Sequence, residues 1–463
     1  MGDLHRLGRP PGVTMKIFWK AAVASASLSG LFILVYTSCN WITSRRQHVR
    51  SCFFAWERSI PFVPALILPY MSIDLFFIAA PFLARSGREL RTLTWRIALA
   101  ILVAGACFLA MPLKFAFARP HVDGPLGLIF NNFRSLDLPY NQCPSLHVAL
   151  WAILVDIYLR RSHGLLRWLA AGWFILMALS PLLTYQHHVV DILGGLALAA
   201  VCFHFVADQP LRRPFLPNRR VGTYYAGGTI ILFAVAGALF PWGLVLIWPA
   251  FSLALVAAGY LFLGPGIFRK ERGRHPWTTW VLLGPVLLGQ RISLIYYSRR
   301  CRPYDQLTDR LWIGRRLTTA EAMRARAAGV TAVIDLTAEF AEVRPFRELT
   351  CLHLSILDLT APTACQIERA LAFIEQHAGL GIVYVHCKVG YSRTAAVAGA
   401  YLLATGHAQS VAQAVSQLRR TRPSLIARPE AIAALDAFQV RERHPAGTSP
   451  QSQGNAMRQT GRE

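Results

Sequence analysis

Apolar positions run in blocks of about twenty through the first 265 residues, then give way to short alternations from Asp309 onward. A block of that length reaches across a bilayer as a helix. Eight are read as spans: Ile17–Val35, Pro61–Leu83, Trp95–Leu113, Ser145–Leu159, Leu165–Tyr185, Val189–Val206, Val221–Phe240 and Gly243–Leu263. A ninth stretch, Trp277–Tyr297, is interrupted by GPVLLGQR and fits a span, a re-entrant segment or an interfacial helix. The first span lacks a small-residue cleavage pattern, so it reads as an anchor, not a removed signal peptide. Beyond Asp309, LWIGRR reads as a short strand, and TTAEAMRARAAG as a helix opened by Thr and stopped by Gly. VTAVIDLT and CLHLSIL follow as buried strands, TACQIERALAFIEQHA as a helix, and GIVYVH as a central strand. Three more helical stretches carry the pattern to about Val440. The expected architecture is a polytopic α-helical membrane bundle of about eight spans followed by a soluble α/β domain.

Charge sharpens the division. Residues 1–300 hold 29 Lys plus Arg against 10 Asp plus Glu, and residues 301–463 hold 19 against 14. The basic clusters at 85–96, 160–167, 212–220 and 268–275 lie between apolar blocks, as expected for cytoplasmic loops near anionic lipid. With the N-terminus inside and eight spans, all four are cytoplasmic and the loops at 114–144 and 185–188 are external. The basic segment at 44–58 is then external too, against the trend, and a ninth span would move the C-terminal domain outside. No basic face with interleaved aromatics suggests nucleic acid. The nine Cys form no CxxC pair and no metal-ligand spacing, so neither a disulfide framework, a metal nor a cofactor is expected. The expected segments are a tail at 1–16, a membrane domain at 17–264 with its core at 61–206, a basic linker at 265–308, an α/β domain at 309–440 and a disordered tail at 441–463.

Three polar patches share the external end of the membrane half: KFAFARP at Lys114–Pro120, CPSLH at Cys143–His147, and SPLLTYQHHVVD at Ser180–Asp191. Ionisable groups at a membrane boundary are costly and point to function. Phosphoryl transfer needs cations on the phosphate oxygens, a nucleophile and an acid. Lys114, Arg119 and the Ser145 hydroxyl suit the first role. A histidine oriented by a carboxylate four residues on, His187 with Asp191, suits the second, and another histidine the third.

These patches resemble the type 2 phosphatidic acid phosphatase superfamily over roughly Pro61–Val206. The resemblance implies that His187 is a nucleophile forming phosphohistidine, Asp191 its orienter and His147 the general acid, with Lys114, Arg119 and Ser145 holding phosphate. The first motif is two residues short of the usual spacing, and Pro181 stands where the third motif carries Arg. PSLH and the Arg-less third motif look more like the inositol phosphorylceramide synthase branch, in which an alcohol takes the phosphoryl group. Hydrolase and headgroup transferase both stay open.

The segment HCKVGYSRT sits where a buried strand meets a helix. Amides of such a loop converge on an anion, and the helix dipole lowers a thiol pKa, so Cys387 suits a thiolate nucleophile. Arg393 offers a planar two-point grip on phosphate, Thr394 can bond the departing thiolate, and Gly390 permits close backbone approach. Ser392 and Lys388 complete the phosphate-binding loop. The segment resembles the cysteine-dependent dual-specificity phosphatases across Asp309–Val440, which implies a general acid on an upstream loop. Asp358 in LDLTAPT matches, whereas Asp335 lies within a strand pattern and reads as structural. Lys388 is similar to the lysine of the lipid-directed members. The whole therefore reads as a two-site membrane enzyme acting on phosphorylated lipids or headgroups, in the inner membrane of a bacterium with the α/β domain cytoplasmic. A membrane-anchored protein phosphatase acting on phosphoproteins, or two non-catalytic phosphate-binding modules, are the alternatives.

Overall fold

The computed structural model describes residues 11–207, 211, 214–239 and 242–443. The start of the N-terminal tail, Arg212 and Arg213 of the third basic cluster, and the Gly-, Ser- and Gln-rich tail from His444 lie outside the described residues. Contacts divide the chain after Gln209 into two compact units.

The first unit is helical: α1 (Pro11–Ser44), α2 (Ile67–Ala79), α3 (Gly87–Ala110), α4 (Gly124–Leu136), α5 (Leu146–Arg161), α6 (Gly164–Leu183) and α7 (Val189–Phe205). Ile97, Ile101 and Ala104 of α3 pack against Ile153 and Leu154 of α5, Phe174 and Met177 of α6, and Cys202 of α7. The outward surface is equally apolar, with Leu165 and Trp168 among its exposed side chains. A helix apolar on every side suits lipid, where backbone polar groups must be satisfied within the helix. Seven helical segments of the described chain are long and apolar enough to cross a membrane, with Trp277–Ser298 among them. The expected spans Ser145–Leu159 and Val189–Val206 are helices of 16 and 17 residues, shorter than the seven, and start where Ser145 and His188 occupy their N-caps. The segment at 114–144, expected to be an external loop, is not all loop, since it folds α4.

The second unit opens with an antiparallel helical hairpin, α8 (Arg219–Ala238) and α9 (Ile247–Ala258), followed by α10 (Trp277–Ser298). The interrupted ninth stretch is thus one continuous helix, with Pro285 inside it. Five strands follow: β1 (Tyr304–Thr308), β2 (Leu311–Arg315), β3 (Val330–Thr337), β4 (Thr350–Ile356) and β5 (Ile382–Cys387). They order as β1-β2-β5-β3-β4, with β1 antiparallel to β2 and the remaining pairs parallel. Strand alternation sorts the side chains into two cores. Ile313, Ile334, Val383, Val385 and Cys387 face one side, and Trp312, Val333 and Tyr384 the other. The helices are α11 (Thr319–Ala327), α12 (Arg344–Arg347), α13 (Ala364–Ala378), α14 (Ser392–Ala404), α15 (Val411–Thr421) and α16 (Pro429–Arg443). Thr318 with Glu321, and Thr363 with Gln366, form capping boxes that fix where α11 and α13 begin.

The basic cluster at 268–275 does not all face lipid. Lys270 is buried, paired with the Asp335 carboxylate, and donates to the Thr337 carbonyl at 2.7 Å. Asp335 also accepts the Thr337 amide at 2.9 Å, so its role within β3 is structural. A buried ion left without its partner costs about 3–5 kcal/mol. Lys270→Met should therefore destabilise the α/β layers by about that much. Adding Asp335→Asn should recover part of the loss, because it removes the stranded charge and keeps a Thr337 contact. Denaturant titration in detergent, followed by hydrogen exchange at the β3 amides, measures both.

Candidate active sites

The first candidate site lies at the carboxyl ends of β3, β4 and β5. Cys387 ends β5, and α14 starts five residues later. Gly390 makes the intervening loop possible: its φ is +73°, and a Cβ there would stand 2.5 Å from the Gly314 backbone. The loop is tied from behind by Arg422, which is fully buried. Arg422 donates to the carbonyls of Gly390 at 3.2 Å and Val389 at 3.2 Å, and to Asp305 at 2.5 Å.

Arg393 leaves α14 toward the ends of β3 and β4. Its Nη atoms meet both Glu339 oxygens, at 2.7 and 3.1 Å, and donate to the Ile356 carbonyl at 2.8 Å. Nη2 also reaches Asp358 Oδ1 at 3.1 Å. The other Asp358 oxygen accepts from Lys388 Nζ at 3.3 Å, and Lys388 donates further to Gln290 Oε1 of α10 at 2.6 Å. Asp358, Arg393 and Lys388 are therefore one connected cluster beside Cys387. Burial pushes the Cys387 thiol up, but the Arg393 charge, Thr394 and the Tyr391 amide outweigh it and hold the thiol below its ordinary range. Burial likewise raises the Asp358 carboxyl, and Arg393 and Lys388 together bring it below the usual carboxylate range. His386 donates to Glu342 at 2.7 Å; burial opposes its charge, and Glu342 wins, so it protonates more readily than a free imidazole. Ser392 accepts the Arg428 amide at 3.4 Å.

The loop carrying Asp358 is also held by the apolar helices of its own unit. Tyr260 donates its hydroxyl to the Asp358 carbonyl at 2.7 Å, and Asn218 donates to the Leu359 carbonyl at 2.8 Å. Sequence reasoning missed Glu339, Arg422, Gln290, Tyr260 and Asn218. None of them lies in the HCKVGYSRT motif or near it in sequence, and only the fold brings them there.

The second candidate site lies where α5 and α7 begin. His187 sits on the turn before α7, and its Nδ1 stands 3.7 Å from Asp191 Oδ2. The Asp191 carbonyl accepts the Ser145 amide at 2.9 Å, which joins the second and third patches. That approach needs Gly195, whose Cβ would fall 2.5 Å from the Ser145 carbonyl oxygen. Ser145 is fully buried, and its hydroxyl accepts the Val148 amide at 3.3 Å. The His147 ring stacks on Tyr70 at 4.3 Å. Arg119 lies over the Phe115 ring at 5.9 Å, and Lys114 is exposed on its loop. Among the described residues, no hydrogen bond or ion pair joins Lys114 to His147, His187 or Asp191.

The neighbouring His188 is spoken for. Its Nδ1 donates to Glu57 at 2.9 Å, its Nε2 accepts the Ala116 amide at 3.1 Å, and it stacks on Phe115. Glu57 comes from the basic segment at 44–58, and the Lys114 amide donates to Arg50 of that segment at 2.9 Å. The segment is thus built against the motif loop. By contrast, His147 Nε2, His187 Nδ1, Asp191 Oδ1 and Arg119 Nε are buried and make no hydrogen bond within the protein.

Comparison with known proteins agrees with this division. Residues 311–441 match the family described as "Dual specificity phosphatase, catalytic domain", and residues 66–205 match the PAP2 superfamily. The chain thus carries one region similar to each family. The rat "Phosphatidylglycerophosphatase and protein-tyrosine phosphatase 1" is 36% identical over 19% of the chain and 46% of its own length. The fission yeast Schizosaccharomyces pombe "Inositol phosphorylceramide synthase catalytic subunit aur1" is 29% identical over 20% of the chain and 21% of its own length. The chain thus spans less than half the length of either. The crystal structure of Tk-PTP in its active form is 25% identical with a TM-score of 0.28, covering 30% of this chain and 97% of that one.

Because the Cys387 thiol is held low, it stays a thiolate as pH falls below the ordinary cysteine range of about 8.5. Iodoacetamide labelling of Cys387 should hold its plateau from about pH 9 down through that range, then fall. Arg393→Ala removes the lowering charge and should move the fall to higher pH. Peptide mass spectrometry across a pH series measures both.

Proposed function

We propose that the chain is a two-site membrane phosphatase acting on phosphorylated lipids, with a covalent phosphocysteine step at Cys387 and a covalent phosphohistidine step at His187. The observation that carries the proposal is the cluster in which Asp358 bridges Arg393 and Lys388 beside a buried, low-pKa cysteine. Held by Arg393 and Lys388, Asp358 is ionised. A bound phosphate dianion competes for both cations, so Asp358 loses its stabilising partners and takes up a proton. The Cys387 thiolate then attacks phosphorus, the bond to the leaving oxygen breaks, and the Asp358 proton goes to that oxygen. In the second half Asp358 takes a proton from water, water attacks phosphorus, and the S–P bond breaks to return the thiolate and release phosphate. Glu339 keeps the guanidinium in place throughout, as a positioning residue.

At the other site, His187 attacks phosphorus while Asp191 balances the charge on its ring, and His147 donates the proton to the leaving group. The phosphoryl group then passes to water or to a lipid alcohol. Support comes from the partners of the two adjacent histidines: both His188 nitrogens are occupied, while a His187 nitrogen is left free beside Asp191. Buried polar atoms normally have hydrogen-bond partners, so the orphaned nitrogens His147 Nε2 and Arg119 Nε suit an anionic substrate.

A lipid substrate is favoured over a phosphoprotein by Lys388, which adds a second cation to the pocket, and by the apolar helices whose side chains hold the general-acid loop. The name of the rat relative joins a lipid and a protein-tyrosine activity, and lipid analysis separates them here. Cells carrying Cys387→Ser should accumulate a lipid phosphomonoester, and cells carrying His187→Ala a different phospholipid change. Unchanged lipids with raised protein phosphotyrosine in Cys387→Ser cells would overturn the lipid assignment. In purified protein, His187→Ala should abolish membrane-site turnover and leave Cys387-dependent release of phosphate from an aryl phosphate within about twofold, since the two sites share no residue.

A further inference from the structure

Helix α10 contains 22 residues and is about 33 Å long. A helix crossing a bilayer would hold its ends on opposite sides. Both ends of α10, and its middle, instead meet one edge of the α/β sheet. Just before it, His275 bonds the Ala338 carbonyl at 2.9 Å, and the Gly273 carbonyl accepts the Glu342 amide at 2.8 Å. In the middle, Gln290 accepts from Lys388 at 2.6 Å. At the end, Tyr297 and Tyr391 stand 6.5 Å apart, and Cys301 Sγ lies 3.9 Å from the Val389 carbonyl. Ala338 and Glu342 follow β3, while Lys388, Val389 and Tyr391 follow β5. These are the strand ends that carry the pocket, so α10 runs across its mouth.

The faces of α10 are equally distinct. Leu282, Leu283, Val286 and Leu287 are buried, and Gln290 continues that side. Val281, Leu288, Ile292 and Ile295 recur at helical spacing on the opposite side and are 39%, 60%, 60% and 56% exposed. Along the borders, Arg291 lies over Trp280 at 4.7 Å and Arg300 over Tyr296 at 4.2 Å. An apolar face edged by arginine and amphipathic aromatics is the composition of a helix lying in the lipid–water boundary. The α8–α9 hairpin fixes where that boundary is. Asn218 just before it and Tyr260 just after it both bond the loop at Asp358 and Leu359, so the open end of the hairpin meets the pocket, and Trp248 near the start of α9 donates to the Val281 carbonyl of α10 at 2.6 Å.

We infer that α10 lies in the plane of the membrane surface, its Leu288–Ile292–Ile295 face in lipid, and sets the Cys387 pocket at the headgroup layer so that a phospholipid presents its phosphate without leaving the bilayer. The inference deepens, and rests on, the lipid assignment of the Cys387 site. Gln290 is its specificity-determining contact, placed to read polar groups beside the phosphate that Lys388 holds. Spans α8 and α9 then cross as a pair, and the phosphatase layers stay on the side from which α8 departs.

The test uses full-length protein in phospholipid nanodiscs. Cysteines are introduced one at a time at Val281, Leu288, Ile292 and Ile295 and spin-labelled, and depth is read against the unsubstituted protein. An in-plane helix gives four shallow, near-equal depths. A helix that crosses gives a spread of about 21 Å between Val281 and Ile295, which overturns the inference. A second arm compares Ile292→Glu with Ile295→Glu, combined, against wild type. The Michaelis constant for a lipid phosphomonoester in vesicles should rise about tenfold or more, with soluble aryl phosphate turnover unchanged. Equal loss on both substrates, or no loss on either, overturns it as well. A wild-type protein without Cys387-dependent lipid turnover would sink the functional assignment, while the depth series still decides how α10 lies.

Discussion

A buried charge must be balanced by its neighbours, and at the Cys387 site that requirement ties the fold to the chemistry. Arg393 is 2% exposed and surrounded by protein. Glu339 comes from the end of β3, Asp358 from the loop after β4, and Arg393 from the helix after β5, so the charge balance joins three strand ends in one place. Glu339 takes two of the guanidinium contacts and keeps the cation from drifting. Asp358 is the exchangeable partner, shared with Lys388 and more open to solvent. A phosphate can displace it without breaking the frame. In the proposed mechanism the same displacement would convert Asp358 from a counter-ion into an acid, coupling substrate binding to readiness for proton transfer.

The membrane half uses a related division of labour between adjacent histidines. His188 is fixed by Glu57 and the Ala116 amide and stacks on aromatic rings. That fixed ring anchors the turn on which His187 stands. Asp191 serves both, capping α7 through the His188 amide at 2.8 Å while its carboxylate faces His187. One carboxylate thus caps the helix and stands beside the His187 ring. Gly195 lets α7 approach closely enough for the Ser145 turn to join them.

Local features were legible in the sequence, and distant ones were not. The strand–loop–helix around Cys387 could be read because alternation, a glycine and a helix start lie within about a dozen consecutive residues. The capping threonine of α11 could be read for the same reason. Glu339 and Arg422 could not, because each is an ordinary charged residue until the sheet order places it beside the loop. Lys270 misled for a related reason: composition marks it as one of a basic surface cluster, and only the buried Asp335 shows otherwise. The hydropathy of α10 is that of a span. Its contacts with the pocket at both ends are a property of three-dimensional structure alone. Glu57, in a segment that ran against the charge trend, has its explanation in a partner 131 residues away.

The central claim is that one chain takes phosphoryl groups covalently at two chemically different side chains. Rapid quenching of the purified protein during turnover of a lipid phosphate, followed by peptide mass spectrometry under conditions that preserve both linkages, tests it most directly. The account predicts phosphate on the peptides containing Cys387 and His187, each lost when its own residue is replaced and kept when the other is. Turnover with neither side chain modified would contradict it.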